Sequence, residues 1–264
     1  MKSFVLVSSF LGLASFAFAD VKVSVAGLRV VGKEYKEEGS EETLRAFSWS
    51  SGTNIALLIQ SDDKAIVSFD KDKSTITGFS DDKGFDFLKV KKRFSNKPFS
   101  FGMEQESESR KALMTTLESD GVPQPGATTI NVTGELVVSV ASKSELKKSG
   151  KVAIKKGEQF EVAGQVFTID QAGKPKWGEG KLEITLKSSV DLKGFRRVVF
   201  YDADGKEIES ESGMWSSMGM FGKKTFKASY TFKTEPNVML VGLDEWTDLE
   251  ELKVPLKLKV GAGL

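Results

Sequence analysis

The chain has no cysteine and no histidine. Without cysteine there are no disulfide staples, so every folded unit is held by its own apolar core. The lipid-modified cysteine of a bacterial lipoprotein is excluded for the same reason. Without histidine there is no Ser-His-Asp or Cys-His nucleophile, no imidazole acid–base work and no His-liganded metal. What remains is carboxylate chemistry, a Ser-Lys pair, or oxygen-ligated Ca²⁺ or Mg²⁺.

Charge of one sign is also lacking. The 38 basic residues face 37 acidic ones, interspersed throughout. A nucleic-acid partner would need a basic face, and an electrostatic membrane anchor would need a basic cluster; neither is present. Long apolar runs are confined to "MKSFVLVSSFLGLASFAFA", residues 1–19. One charge, Lys2, precedes an apolar run that ends in Ala17-Phe18-Ala19, the small-x-small pattern of a signal peptidase site. That run, about 15 residues, is short of the roughly 20 that cross a bilayer. The expectation is a secretory signal peptide cleaved before Asp20, leaving a mature chain without a membrane span.

Helix signals are few. "GSEETLRAF" (39–47), "MEQESESRKALM" (103–114) and "SKSELKKSG" (142–150) carry capping residues or polar periodicity for short helices at most. What the chain does have is strands. Apolar and polar residues alternate in Leu182-Glu183-Ile184-Thr185-Leu186 and in many similar runs, rich in Val, Ile, Phe and Thr and separated by Gly, Asp, Asn and Pro. Short strands at such spacing predict an all-β sandwich.

Self-comparison adds organisation. "FSDDKG" (79–84) matches "FYDADG" (200–205), "GTNIALLIQ" (52–60) matches "GKLEITLKS" (180–188), and "KALMTTLES" (111–119) matches "KASYTFKT" (227–234). Matching elements recur in the same order, and "SDGVPQPGATT" (119–129) reads as a linker. The expected organisation is a signal peptide (1–19), one β-sandwich domain at 20–127 and a second at 128–264. The aromatic-acid-acid-Gly corner, followed by a Gly/Ser-rich loop and a long aromatic strand, resembles tandem immunoglobulin-like or fibronectin type III-like sandwiches of exported bacterial proteins. The closing "VPLKLKVGAGL" (254–264) resembles the same group. The resemblance covers 20–264, lacks a Cys…Trp…Cys signature, and implies a fold without naming an activity.

Two acidic runs resemble fragments of calcium loops. Asp202, Asp204 and Glu207 are spaced like opening ligands, but Gly205 stands at position 4 and no acid follows at position 12. Asp-Gly is equally the dipeptide of a type I′ hairpin, with Asp202 capping the turn; the hairpin is the favoured reading and a weak Ca²⁺ site the other. In "FDKDKSTITGFSD" (69–81), Asp70, Asp72, Ser74 and Asp81 fit less well, since Thr75 stands where the loop needs glycine. No carboxylate pair or Ser-Lys pair is singled out by its surroundings, so an enzyme is not expected.

The oddest segment is "SGMWSSMGMFG" (212–222), which sets Met214, Trp215, Met218, Met220 and Phe221 among small uncharged residues. Exposed, such a loop is an apolar contact patch for a protein partner or a sugar. Buried, it plugs the end of a sandwich, which is the favoured reading. Trp177 and Trp246 face the same choice, with Trp246 expected in the core.

The chain is therefore expected to be an exported, periplasmic or extracellular, non-catalytic structural or interaction protein that contacts a protein or cell-envelope component. A carbohydrate or cell-wall module using exposed aromatics, and a Ca²⁺-stabilised adhesion-type module, are the alternatives. An outer-membrane barrel fits worse, because runs such as "IALLI" (55–59) suit a packed core better than a lipid-facing strand.

Overall fold

The computed structural model describes residues 21–39, 41, 43–44, 51–92, 96–220 and 223–261. The expected signal peptide, the run 45–50, most of the expected helix at 39–47 and Phe221 lie outside the described residues, as do the side chains of Met220 and Lys223.

The described chain is all-β. Its strands are β1 (Val21–Val31), β2 (Tyr35–Lys36), β3 (Thr43–Leu44), β4 (Gly52–Ser61), β5 (Ala65–Asp81), β6 (Ser100–Phe101), β7 (Gln105–Glu106), β8 (Ala112–Ser119), β9 (Thr129–Ala141) and β10 (Ser144–Lys148). They continue as β11 (Val152–Ala153), β12 (Gln159–Val162), β13 (Gln165–Gly173), β14 (Leu182–Ser188), β15 (Arg197–Tyr201), β16 (Glu207–Ile208), β17 (Ser210–Met220), β18 (Lys223–Phe232), β19 (Val238–Trp246) and β20 (Glu250–Gly261). The helical content among the described residues is two 3₁₀ turns, Phe87–Lys89 and Leu192–Gly194, each capped by the preceding aspartate. No helix there is long and apolar enough to cross a membrane.

Two antiparallel sheets enclose a first core. One orders β1-β4-β8-β6, with β7 also on β8; the other orders β20-β9-β5. Alternation delivers the inward set: Ile55, Leu57 and Ile59 from β4, Leu113 and Leu117 from β8, and Ile130, Val132 and Val138 from β9. Each Ile, Leu or Val so enclosed contributes about 1.5–3 kcal/mol relative to exposure. Two further sheets enclose a second core. One orders β12-β13-β14-β18-β17; the other orders β10-β19-β15-β16, with β11 also on β19. Ile169, Ile184, Leu186 and Phe232 from the first meet Phe200, Met239, Val241 and Leu243 from the second.

The division expected at 127/128 does not separate these cores. β9 pairs β5 on one side and β20 on the other, from Val140↔Glu250 to Thr129↔Gly261. The beginning and the end of the segment expected as a second domain thus belong to the first core. Strand order along a sequence reveals recurring elements but not which strands pair, and Val254, Leu256 and Val260 complete a core laid down far upstream.

The two cores are joined by one continuous ribbon. Beyond Val140↔Glu250 the antiparallel pairing resumes at Ser144↔Trp246, as β10 on β19. Between them Asp248 Oδ1 accepts from the N–H groups of Ser142 (3.0 Å) and Lys143 (2.8 Å), while Thr247 N–H donates to the Lys143 carbonyl (3.1 Å). Trp246 is buried here against Val67 and Ala141, the core placement expected of it.

The expected helix at 142–150 is instead strand β10. Its side chains serve that role: Lys147 Nζ reaches Glu245 at 2.6 Å, and Lys148 Nζ stands 3.6 Å above the Tyr201 ring. The helical turn expected in 103–114 is a hairpin between β7 and β8, pairing Gln105↔Met114 and Glu106↔Leu113, with Arg110 in the left-handed region at φ 55°. In the described part of 39–47, Thr43 and Leu44 pair with Lys36 and Tyr35. In each case pairing with a neighbouring strand outweighs weak local helix preference.

Candidate functional site

Asp202 N–H donates to the Lys206 carbonyl (2.9 Å), and Gly205 N–H donates to the Asp202 carbonyl (3.1 Å). Asp202 Oδ1 accepts from the N–H groups of Asp204 (3.0 Å) and Lys206 (2.9 Å). The hairpin joins β15 to β16. It is not the two-residue type I′ form, however: Ala203 and Asp204 are central and Gly205 follows at φ +85°, the longer loop in which a turn is closed by a left-handed glycine. The Asp202 side chain explains the choice, since it bridges N–H groups two and four residues ahead.

The corner at 81–85 repeats this geometry. Asp81 Oδ1 accepts from Lys83 N–H (2.9 Å) and Phe85 N–H (2.8 Å), and Gly84 has φ +90°. Here Oδ2 also accepts from Gln124 N–H at 2.7 Å, and the side chain is buried. Next to it, Asp82 accepts from the hydroxyl (2.6 Å) and N–H (3.0 Å) of Thr128, chiefly the hydroxyl holding its carboxyl below the usual range. Asp70 likewise accepts from Asp72 and Lys73 N–H groups within a bulge of β5. Glu207 lies 3.9 Å from Arg197. Asp202, Asp204 and Glu207 are not gathered around a point, and among the described residues no group of three His, Cys, Asp or Glu side chains is arranged to hold a metal ion.

The segment 212–222 differs from expectation in both structure and burial. It is not a plugging loop. Its described part is strand β17, paired with β18 from Ser210↔Phe232 to Met220↔Lys223 and terminating its sheet. Residues 211–219 are exposed, with Met214 at 78% and Met218 at 69%. The physical reason is supply: Phe167, Ile169, Ile184, Phe200 and Phe232 already fill the second core, and the small residues of β17 give it nothing to insert.

Trp215 is the half-exposed member of the set (38%) and is fixed in place. Its Nε1–H donates to Asp191 Oδ1 at 3.1 Å, and Lys193 Nζ stands 4.2 Å from the ring centroid. Asp191 Oδ1 also caps the 3₁₀ turn by accepting from Lys193 N–H at 2.9 Å. One carboxylate thus holds both the indole and the turn that carries the stacked lysine, a cation–π contact. Trp177 is 89% exposed on a different segment.

Beside Trp215 lies an open groove of about 460 Å³ lined by Arg110, Lys193, Arg197, Ser212, Met214 and Tyr230 among others. Arg110 comes from the first core's β7–β8 hairpin, and its guanidinium donates to the Lys193 carbonyl at 3.0 Å. Its contribution was not legible in sequence, because nothing local marks a contact between residues 110 and 193. Tyr230 is buried at the groove floor, which pushes its phenol well above the usual range.

Comparison of the chain with protein-family models, with curated proteins and with solved structures finds no match.

Proposed function

We propose that the chain is an exported, non-catalytic interaction protein that engages a protein of the cell envelope through β17. The observation that carries this reading is the uncharged, exposed run Ser212–Gly219 on a sheet edge. Exposed apolar surface set in a strand edge is contact surface, since it costs solubility unless a partner covers it. The mixed charges support a protein partner over nucleic acid. For the carbohydrate alternative, Trp177 supplies an exposed ring, but Lys193 already occupies a face of Trp215.

We further propose that both cores are immunoglobulin-like sandwiches. In the first, sheet order β1-β4-β8-β6 against β5-β9-β20 supports the four-plus-three arrangement of that fold, with β1, β4, β5, β6, β8, β9 and β20 as its successive strands. In the second, β13-β14-β18-β17 and β15-β19-β10 occupy the same places. The last place is filled crosswise: β9 runs on into β10, and β19 runs on into β20. The matched corners at Asp81 and Asp202 support an origin by duplication.

The test is capture from the native envelope fraction with residues 20–264 as bait, against a Met214→Lys/Met218→Lys variant. Envelope capture that the double variant loses supports the reading; equal capture by both overturns it.

A further inference from the structure

The sheet edges of this molecule are unequal. The β20 edge carries Pro255 and a row of lysines, Lys253, Lys257 and Lys259; β10 carries Glu145, Lys147 and Lys148; β12 has four residues and β16 two. The edge that corresponds to β17 in the first core is broken into β6 and β7, two residues each. Charge, proline and shortness are the ordinary means by which an edge is kept from pairing with another chain. β17 has eleven residues, and after Glu211 none of them is charged or proline. A bulge between Ser212 and Trp215 interrupts its ladder with β18, but from Trp215 to Met220 the register is regular. Along these six residues the backbone groups of alternate residues point away from β18, and among the described residues no strand lies opposite them.

We propose that this edge pairs antiparallel with the β17 edge of a second copy of the chain, joining two five-stranded sheets into one across a two-fold axis. This rests on the reading of β17 as a contact surface and names its occupant. Three features favour a second copy. An antiparallel two-fold matches the strand to itself with no like charges opposed, because Trp215–Met220 is neutral. Overlap centred on Ser217 sets that residue opposite its own counterpart on the two-fold axis. Met218 of each copy then lies diagonal to the other's on the opposite face of the sheet, within reach of a long side chain, so the exposed thioethers close over each other. The two ends are also complementary in charge: Glu211 precedes the neutral run, whereas Lys224, paired with Gly219, lies beside its far end. Antiparallel pairing runs each copy's Glu211 toward the other's Lys224. Backbone ladders supply the affinity in such strand addition, and the alternating side chains set the register.

Sedimentation velocity on residues 20–264 over a concentration series tests the pairing. Reversible dimerisation is expected. Met218→Lys should raise the dissociation constant by about tenfold or more, because the two-fold brings both new charges together, with unchanged circular dichroism; Met218→Leu should dimerise as the parent does. The absence of native cysteine allows a second measurement. Ser217→Cys should form a disulfide-linked dimer on mild oxidation, whereas Lys257→Cys, on the lysine-rich β20 edge, should remain monomeric. A parent chain that stays monomeric throughout, or cross-linking at Lys257→Cys equal to that at Ser217→Cys, overturns the proposal. A monomer that still captures an envelope protein through Met214 and Met218 removes self-pairing alone. A dimer without envelope capture removes the wider reading alone.

Discussion

Asp81 and Asp202 occupy the same corner geometry with different surroundings, so truncating each separates the turn's own contribution from that of burial. Asp202 accepts two N–H groups, from Asp204 and Lys206, at an exposed turn. After Asp202→Ala, water reaches both donors, and the cost should be that of a lost exposed cap, about 1 kcal/mol. Asp81 accepts three N–H groups, from Lys83, Phe85 and Gln124, and is itself buried. Its carboxylate also ties the segment before β9 to the end of β5. Hydrogen bonds to a charged acceptor contribute about 1.5–3 kcal/mol each, and partial access of water to these donors lowers the sum, giving about 3–4 kcal/mol for Asp81→Ala. With a urea slope of about 1–3 kcal/mol per molar, the unfolding midpoint of the first core should fall by more than about 1 M. Asp81→Asn should be intermediate, since one oxygen is retained and an NH₂ donor replaces the other. Urea titration followed by far-ultraviolet circular dichroism, with amide exchange at Ile130 and Val132 to report on the first core, measures all three. Equal losses for Asp81→Ala and Asp202→Ala would refute the assignment of the difference to burial.

A Cβ at Gly134 would lie 2.2 Å from the Thr75 carbonyl oxygen, where the bulge of β5 closes on β9. Gly134→Ala should therefore cost about 2–3 kcal/mol or prevent folding, whereas Gly126→Ala, with open space around its Cβ but φ +75°, should cost about 1 kcal/mol from backbone strain; thermal melts rank the two. The Lys143 and Ser142 N–H groups hold the Asp248 carboxyl below its usual range. A depressed carboxylate stabilises above its unfolded value and loses that contribution as pH falls through the folded one. Protection of the Ser142 and Lys143 amides should thus weaken below about pH 4 and be insensitive to pH in Asp248→Ala; pH-dependent amide exchange checks the sign. Because the Asp202 carboxylate is spent on its turn, Glu207 lies beside Arg197 and the three acids are not gathered around a point, melting temperatures in excess Ca²⁺ and in chelator should coincide, and a rise with Ca²⁺ would restore the metal reading.

Much of the fold was legible because strands announce themselves by alternation. Ile55, Leu57 and Ile59 in β4, and Leu182, Ile184 and Leu186 in β14, read directly as one-sided strands. The corner at 200–205 was legible too, since Asp and Gly at that spacing have few other uses. What sequence could not supply was partnership. "SKSELKKSG" has acceptable helix caps, and only the strand β19 beside it makes β10 extended. The same limit hid the role of β20, whose pattern suits the end of any sandwich. For the candidate site the residues were legible but not their placement: Met214, Trp215 and Met218 were identifiable as odd, but whether they face inward depends on the space left by Phe167, Phe200 and Phe232, which no local pattern encodes.

The crosswise ribbon makes a last prediction that separates pairing from sequence order. If β9 and β20 complete the first core, that core needs both ends of the chain and nothing between them. The ladder pairs Val140 with Glu250, so the next pair outward is Ala141 with Leu249, and replacing 142–248 by Asn-Gly closes it as a two-residue hairpin. This shortened chain retains Ile130, Val132, Val138, Val254, Leu256 and Val260 with the β4 and β8 residues they pack against. It should unfold cooperatively. The fragment 20–127, which follows the boundary suggested by the proline-rich linker, lacks all six and leaves β5 with an unpaired edge and the first core open on one side. At about 1.5–3 kcal/mol for each enclosed aliphatic side chain, that deficit is as large as the roughly 5–15 kcal/mol by which domains are usually stable. Circular dichroism and urea titration of the two chains decide the matter: a folded 20–127 together with an unfolded hairpin-closed chain would mean that β20 is an accessory to the first core and not its final strand.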